Sequence, residues 1–195
     1  NVLDRFYKAA KLFSPKYVVR ICGDCPFVDS KLLDEMIKTI KVKNYDYVSN
    51  INPPTYPDGL DIEIFTFVSL KNAFKKSMNN YEKEHVTPYI IKNAKNSYNF
   101  ENKKNYSHIR LTLDEPIDLN VLNETYKNIK NKNNFTYKNI VNLIENKPNL
   151  FIKNNYLKRN AGTTMNSGQK LWKRAKNIIP GGNMLLSKRP EMFLP

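Results

Sequence analysis

The sequence predicts an α/β fold, a mixed sheet with flanking helices. Three observations carry this. Short β-prone runs alternate with stretches of helical period along most of the chain. Two of those runs end alike, Arg20-Ile21-Cys22-Gly23-Asp24-Cys25-Pro26 and Arg110-Leu111-Thr112-Leu113-Asp114-Glu115-Pro116, each reaching an aspartate with a proline two residues on. The 195 residues are 41% hydrophobic, an ordinary globular content, and at this size about two-thirds of the unfolded surface is buried.

The elements follow in order. Val2 to Leu12 has Leu3, Phe6 and Ala10 near helical spacing, and Ser14-Pro15 ends that helix. Tyr17 to Cys22 is a short apolar run with β-branched residues, which predicts a buried strand. Asp29 or Ser30 can cap the next helix, in which Leu33, Met36, Ile37 and Ile40 recur at i, i+3, i+4 and i+7. Tyr45 to Ser49 reads as a strand and Asn52 to Gly59 as a loop punctuated by Pro53-Pro54 and Pro57-Asp58-Gly59. Leu60 to Phe67 alternates, with Leu60, Ile62 and Ile64 on one face and Asp61 and Glu63 on the other, which predicts a half-exposed strand. Val68 to Met78 and Glu82 to Ala94 read as helices, the second with Pro88 near its first turns. Tyr98 to Glu101 is a short strand. Ile109, Leu111 and Leu113 alternate with Arg110, Thr112 and Asp114 in another, and helices follow over Leu119–Ile129 and Phe135–Glu145. Arg159 to Gly168 is small and polar, a linker. Gln169 to Ile179 is a short amphipathic helix stopped by Pro180-Gly181-Gly182.

Bulk properties exclude some classes of function. No apolar run approaches the roughly 20 residues of a membrane span, no signal peptide opens the chain, and a cytoplasmic location is expected. The 32 Lys+Arg against 18 Asp+Glu give +14, which suits an anionic partner. Lysine and asparagine are however interspersed almost everywhere, as in Asn128 to Asn134, with no dense arginine block and no Arg/aromatic stripe. Nucleic-acid binding is therefore disfavoured. Cys22 and Cys25 are the two cysteines, spaced C-x-x-C. A redox pair or half a zinc site is the sharp reading. Against it, Cys22 belongs to the predicted strand, no second cysteine pair exists, and His85 and His108 lie far off in sequence. Reduced thiols fit a cytoplasmic protein.

The residues that can carry chemistry are acidic. A carboxylate at the end of a buried strand is costly unless something pairs with it. Asp24 stands at such an end, where ligands sit in open α/β sheets, and Gly23 removes a side chain that would crowd one. Asp24 is a ligand for a hard cation such as Mg2+, which favours carboxylate oxygen and phosphate, or it caps a turn. Asp114 repeats the pattern as a second ligand, or as the cap of the helix starting at Glu115-Pro116. Asp61 and Glu63 share a strand face and suit sugar hydroxyls, a metal or plain solvation. Glu84-His85 precedes Val86-Thr87-Pro88, and His85 can orient a substrate group or be purely structural. Arg20 and Arg110 each stand four residues before their aspartates, about 13 Å in an extended strand, too far to touch the same metal.

In order along the chain, Val18 to Pro26, Pro57-Asp58-Gly59-Leu60-Asp61-Ile62-Glu63, Glu84-His85-Val86-Thr87-Pro88-Tyr89-Ile90 and Arg110 to Asp118 resemble the cytidylyltransferase family. That family includes spore-coat polysaccharide proteins, acylneuraminate cytidylyltransferases and the 3-deoxy-manno-octulosonate enzymes. The match runs roughly from Asn1 to Leu150. It implies a Rossmann-like nucleotide-diphospho-sugar transferase fold and transfer of CMP from CTP to a sugar or sugar acid for surface polysaccharide, with release of pyrophosphate. It implies Asp24 and Asp114 as catalytic, Mg2+-binding residues, and Gly23, Asp61, Glu63, Glu84, His85 and Arg110 as substrate-binding residues. A homodimer is one possible assembly. Two rivals stand beside it. A glycosyltransferase of similar fold usually carries Asp-x-Asp, which neither Gly23-Asp24-Cys25 nor Asp58-Gly59-Leu60 supplies. A basic nucleic-acid-binding module would bind DNA or RNA tightly and with strong salt dependence.

One departure matters. The family opens with a strand and a Gly-rich loop that holds the triphosphate, and nothing here matches them. With Asn1 as first residue, the expectation is an N-terminally truncated fragment lacking its first strand and inactive by itself. In the tail, Leu171-Trp172-Lys173-Arg174-Ala175-Lys176-Asn177-Ile178-Ile179-Pro180-Gly181-Gly182 resembles the start of glutamate-1-semialdehyde aminomutase-like aminotransferases. The expected organisation is a partial cytidylyltransferase domain (1–153), a linker (154–168) and the beginning of an aminotransferase-like domain (169–195). Pyridoxal phosphate would belong only to the rest of that domain.

Overall fold

A computed structural model describes residues 1–130, 132 and 135–159. Most of the expected linker and all of the aminotransferase-like tail lie outside the described residues. Asn1–Tyr156 form one compact unit. Its elements run α1 (Val2–Phe13), β1 (Tyr17–Arg20), α2 (Ser30–Lys43), β2 (Tyr47–Ser49), β3 (Glu63–Thr66), α3 (Phe67–Lys76), α4 (Asn80–His85), α5 (Pro88–Asn93), β4 (Ser97–Asn99), α6 (Pro116–Asn128) and α7 (Tyr137–Asn146), then a 3-10 turn at Pro148–Phe151.

The four strands form one mixed sheet in the order β1-β3-β2-β4. β3 is antiparallel to β1 and β2, and β4 is parallel to β2. Successive side chains of a strand point to opposite faces, and the core divides accordingly. Val48 and Ile64 pack with Met36 and Ile40 of α2, Val121 and Leu122 of α6, and Ile140 and Ile144 of α7. Tyr47 and Phe65 pack on the other side with Leu3 of α1, Leu70 and Ala73 of α3, Val86, and Ile90 of α5. The result is helix, sheet, helix, as the alternation of patterns predicts.

Local chemistry sets the element ends. The Asn1 carboxamide accepts the Asp4 amide and caps α1, and Ser14 closes that helix in the left-handed region. Asp29 caps α2 through the amides of Lys31 and Leu32, and its second oxygen accepts the Tyr137 amide that opens α7. One buried carboxylate thus serves the starts of two helices.

Four expectations are corrected. β1 is an edge strand, not a buried one, with Val19 37% exposed. An apolar groove of about 640 Å3 lies beside it, lined mainly by Phe6, Ala9, Phe13, Pro15, Tyr17 and Val18. β3 is not half-exposed: between two partners and under helices on both faces, Glu63, Ile64 and Phe65 are all buried. The helix expected over Glu82–Ala94 breaks at Val86-Thr87, ahead of Pro88, which has no N–H to continue the helical ladder and instead stands in the first turn of α5. Val86 takes φ 68°, ψ −57°, and the Thr87 amide donates to the His85 carbonyl at 2.8 Å. This is a γ-turn of the strained kind, costing about 1–3 kcal/mol, held because Val86 is fully buried in the second core cluster. Finally, Ile109 to Asp114 does not form a regular strand. Arg110 makes an isolated parallel bridge to Asp58, and the chain then turns at Asp114.

That bridge depends on Gly59. Its φ is 101°, and a Cβ there would stand 2.5 Å from the carbonyl carbon and oxygen of Leu111. Gly59→Ala is expected to destabilise the unit by at least about 2 kcal/mol, from backbone strain and overpacking together. The measurement is the urea midpoint at unchanged slope. A midpoint that stays put would show that the loop yields without cost.

Candidate active site at the strand ends

The sheet register places four polar side chains in one row. Arg20 pairs across from Glu63, Glu63 from Ser49, and Ser49 from Asn99. These are the carboxyl ends of β1, β2 and β4, where ligands bind in open α/β sheets. Glu63 is buried rather than solvated: Arg20 ion-pairs with one of its oxygens, and the Tyr47 hydroxyl donates to the other at 2.7 Å. Burial first, and the Glu63 carboxylate second, hold the Tyr47 phenol far above its ordinary pKa, so it remains a donor. The Asn99 carboxamide oxygen accepts the Ser49 hydroxyl and the Asn52 amide, tying β4 to the loop after β2. Asn50 is fully buried and uses its carboxamide as a short strand, bonding the Leu60 carbonyl and the Ile62 amide at 2.8 Å each.

Beyond this row lie the turns that carry Asp24 and Asp114. The Leu113 amide donates to the Asp24 carbonyl at 2.9 Å, so the turn after β1 and the turn before α6 are joined backbone to backbone. Neither aspartate caps a helix. Asp29 takes that role for α2, and Glu115 forms a capping box with Asp118 for α6. The Asp24 carboxylate, half-buried, accepts among the described residues a long bond from the Cys25 thiol at 3.5 Å. The Asp114 side chain is half exposed, with Oδ2 held by Arg110 and Thr112. A Cβ at Gly23 would meet no atom within 4 Å, so the space before the turn is open.

Arg110 pairs within the protein. Rather than standing free for a substrate, its guanidinium is buried among three carboxylates. Asp118 takes it as a fork, Nε to Oδ1 and Nη2 to Oδ2 at 3.0 Å each, Asp58 lies 3.5 Å from Nη1, and Asp114 binds Nη2. The 13 Å separation of an extended strand does not apply, because the chain turns before Asp114. Asp118 also accepts the amides of Asp114 and Glu115 and the Asn154 carboxamide. Burial alone would push the Asp118 carboxyl up. The Arg110 pair, Asn154 and the two amides outweigh it and hold the pKa at about 2. Arg110 thus answers three carboxylates, two of them buried with it. Asp24 and Asp114 are the residues that would hold a divalent cation, since Mg2+ prefers carboxylate oxygen alongside water and phosphate. Among the described residues no three His, Cys, Asp or Glu side chains converge to hold a metal by themselves.

Asp61 is drawn into the same neighbourhood. The Cys25 thiol is pushed up by its hydrogen bond with Cys22, then by burial, then by the charges of Asp24 and Asp61. The Cys22 thiol is brought down to about 7 by Cys25, against burial, and by Arg20. Glu84 and His85 are the last two residues of α4, and His85 opens the γ-turn that leads to α5. The His85 ring lies 4.5 Å from that of Tyr81, and no hydrogen bond joins either residue to Asp24 or Asp114 among the described residues. Asp58, Asp118 and Asn154 are site residues that sequence reasoning did not single out. Asp118 had a signal, its place three residues after Glu115 in a capping box. Asn154, assigned to the linker, had none.

A family profile described as Cytidylyltransferase matches residues 1–159. The chain belongs to the cytidylyltransferase family. It is 26% identical over 154 residues to the spore coat polysaccharide biosynthesis protein SpsF of Bacillus subtilis, covering 76% of this chain and 62% of that one. It is 44% identical over 93 residues to the uncharacterized protein MJ1063 of Methanocaldococcus jannaschii, covering 48% of this chain and 37% of that one. The chain therefore spans less than two-thirds of the length of either relative. Among solved structures, a cytidylyltransferase from Leptospira borgpetersenii matches with a TM-score of 0.72 and 29% identity, over 85% of this chain and 67% of the other. No helix among the described residues is long and apolar enough to cross a membrane.

Proposed function

We propose that this chain is the sugar-nucleotide-forming part of an Mg2+-dependent enzyme that transfers CMP from CTP to a sugar or sugar acid destined for a surface polysaccharide. One observation supports the reading: within a family fold, the bond between the Leu113 amide and the Asp24 carbonyl joins the turn that carries Asp24 to the turn that carries Asp114. A bound Mg2+ supplies charge neutralisation and orientation of phosphate oxygens. The chain's own work is positional. Arg110 steers Asp114, the open space at Gly23 admits the nucleotide, and Asp61, Glu63, Glu84 and His85 belong to the segments assigned to the sugar. A sugar oxygen attacks the α-phosphorus in line and pyrophosphate leaves, with no covalent enzyme intermediate.

The phosphate-holding loop is unmatched in this sequence, and among the described residues β1 has a single strand neighbour and an apolar groove beside it. Both support the reading that the 195 residues alone are inactive and that a further strand completes the sheet. The tail resemblance extends the same reading to a polypeptide that continues into an aminotransferase. The test is pyrophosphate release, measured with each nucleoside triphosphate, Mg2+ and a panel of sugar acids, for the full-length protein and for this chain. The full-length protein is expected to release pyrophosphate from CTP alone. Equal rates with all four triphosphates would overturn the CTP assignment, and turnover by the 195-residue chain would overturn its incompleteness.

A further inference from the structure

The sequence argues against a redox role for Cys22 and Cys25 on the ground that Cys22 belongs to a strand. The structure removes that ground. β1 ends at Arg20, and Cys22 instead opens a turn that Cys25 closes, the Cys25 amide donating to the Cys22 carbonyl at 3.2 Å. The first and fourth Cα atoms of such a turn lie within about 7 Å, the range a disulfide spans. Both thiols are half-buried, so small reactants reach them. The space beside Gly23, within the turn, is open. Asp24 is the third residue of the same turn, and its Oδ1 accepts the Cys25 S–H at 3.5 Å.

We infer that Cys22 and Cys25 are a reversible dithiol–disulfide site for small-molecule disulfides, and that closing it reorients Asp24. The exchange balances in two steps. One cysteine sulfur attacks the small disulfide, forming a mixed disulfide and releasing one thiol. The other cysteine then attacks the protein sulfur of that bond, releasing the second thiol. The two cysteines are oxidised to one disulfide and the reagent is reduced to two thiols, which carry off the two protein protons. The ring so formed encloses Gly23 and Asp24. It constrains their backbone and removes the S–H donor from the Asp24 carboxylate. In a reducing compartment such a bond is transient, and so reports oxidant rather than adding stability. The consequence for cation binding rests on the reading of Asp24 as a ligand; the disulfide itself does not.

The experiment incubates the 195-residue chain with reduced and oxidised glutathione in varying ratio, followed by acid trapping, alkylation and peptide mass mapping. The expected result is loss of both thiols to an internal Cys22–Cys25 bond, two hydrogens lighter and reversed by dithiothreitol. Cys22→Ser and Cys25→Ser should each stop at a mixed disulfide with glutathione. Oxidation should speed exchange of the Leu113 amide, which donates to Asp24. It should also weaken Mn2+ binding, used as a probe of the cation site, by about 10-fold or more, the size of a disturbed ligand environment. Two alkylatable thiols persisting in excess oxidised glutathione would overturn the site. A disulfide that leaves both Leu113 exchange and Mn2+ affinity unchanged would overturn its control of Asp24. If Asp24→Asn leaves Mn2+ affinity of the reduced chain unchanged, the cation reading fails, while the disulfide is still decided by mass and its control of Asp24 by Leu113 exchange.

Discussion

Asp118→Ala is expected to cost about 3–5 kcal/mol of stability, the range for removing one partner of a buried ion pair. The carboxylate is fully buried. Its loss leaves the Arg110 fork without its main acceptor, and it strands the Asn154 carboxamide and the amides of Asp114 and Glu115. Urea unfolding of the 195-residue chain measures this, and Asp118→Asn separates shape from charge. The sign with pH follows from the depressed pKa. Held at about 2 in the fold against an ordinary 3.8, Asp118 contributes stability that is complete above about pH 4 and lost as pH falls through 2. The acid limb of the stability curve should therefore flatten in Asp118→Asn. An unchanged midpoint and acid limb would mean that Arg110 finds other partners at no cost.

Asp24→Asn in the full-length protein is expected to lower kcat/KM for pyrophosphate release at least about a hundredfold, a loss of about 2.7 kcal/mol of transition-state stabilisation. The substitution preserves shape and, since among the described residues the carboxylate accepts no more than a long bond from a thiol, should leave the melting temperature nearly unchanged. Asp114→Asn should act alike on rate, and the double variant should fall little further, as residues acting as a unit do. A variant that melts normally and retains its rate would remove Asp24 from the chemistry.

Where local rules governed, the fold was legible. The i, i+3, i+4, i+7 spacing of Leu33, Met36, Ile37 and Ile40 described α2 because one helix face meets the sheet. The helix start at Glu115-Pro116 was readable for the same kind of reason. The Tyr17–Cys22 run and the Leu60–Phe67 alternation misled in opposite directions. An apolar run says that a strand is suited to burial, not that it has two neighbours, and alternation does not reveal that a charged side chain will find an arginine and a tyrosine across the sheet. The aspartate pair was legible as a repeated local pattern; its network was not. Asn154 lies 36 residues from Asp118 and 44 from Arg110, and no spacing rule connects residues so far apart.

By itself, the sequence determined the α/β class, the order of its elements, the two aspartates at run ends and the ordered motifs of a family. These depend on patterns within a few residues, which chain geometry expresses directly. Tertiary structure alone decided which strand lies at the edge, that Glu63 is buried against Arg20, that Arg110 belongs to Asp118, Asp114 and Asp58, and that Cys22 and Cys25 share a turn with Asp24. The physical reason is the cost of burying charge. A carboxylate or guanidinium leaves water only where a partner waits, and those partners came from segments that only folding brings together.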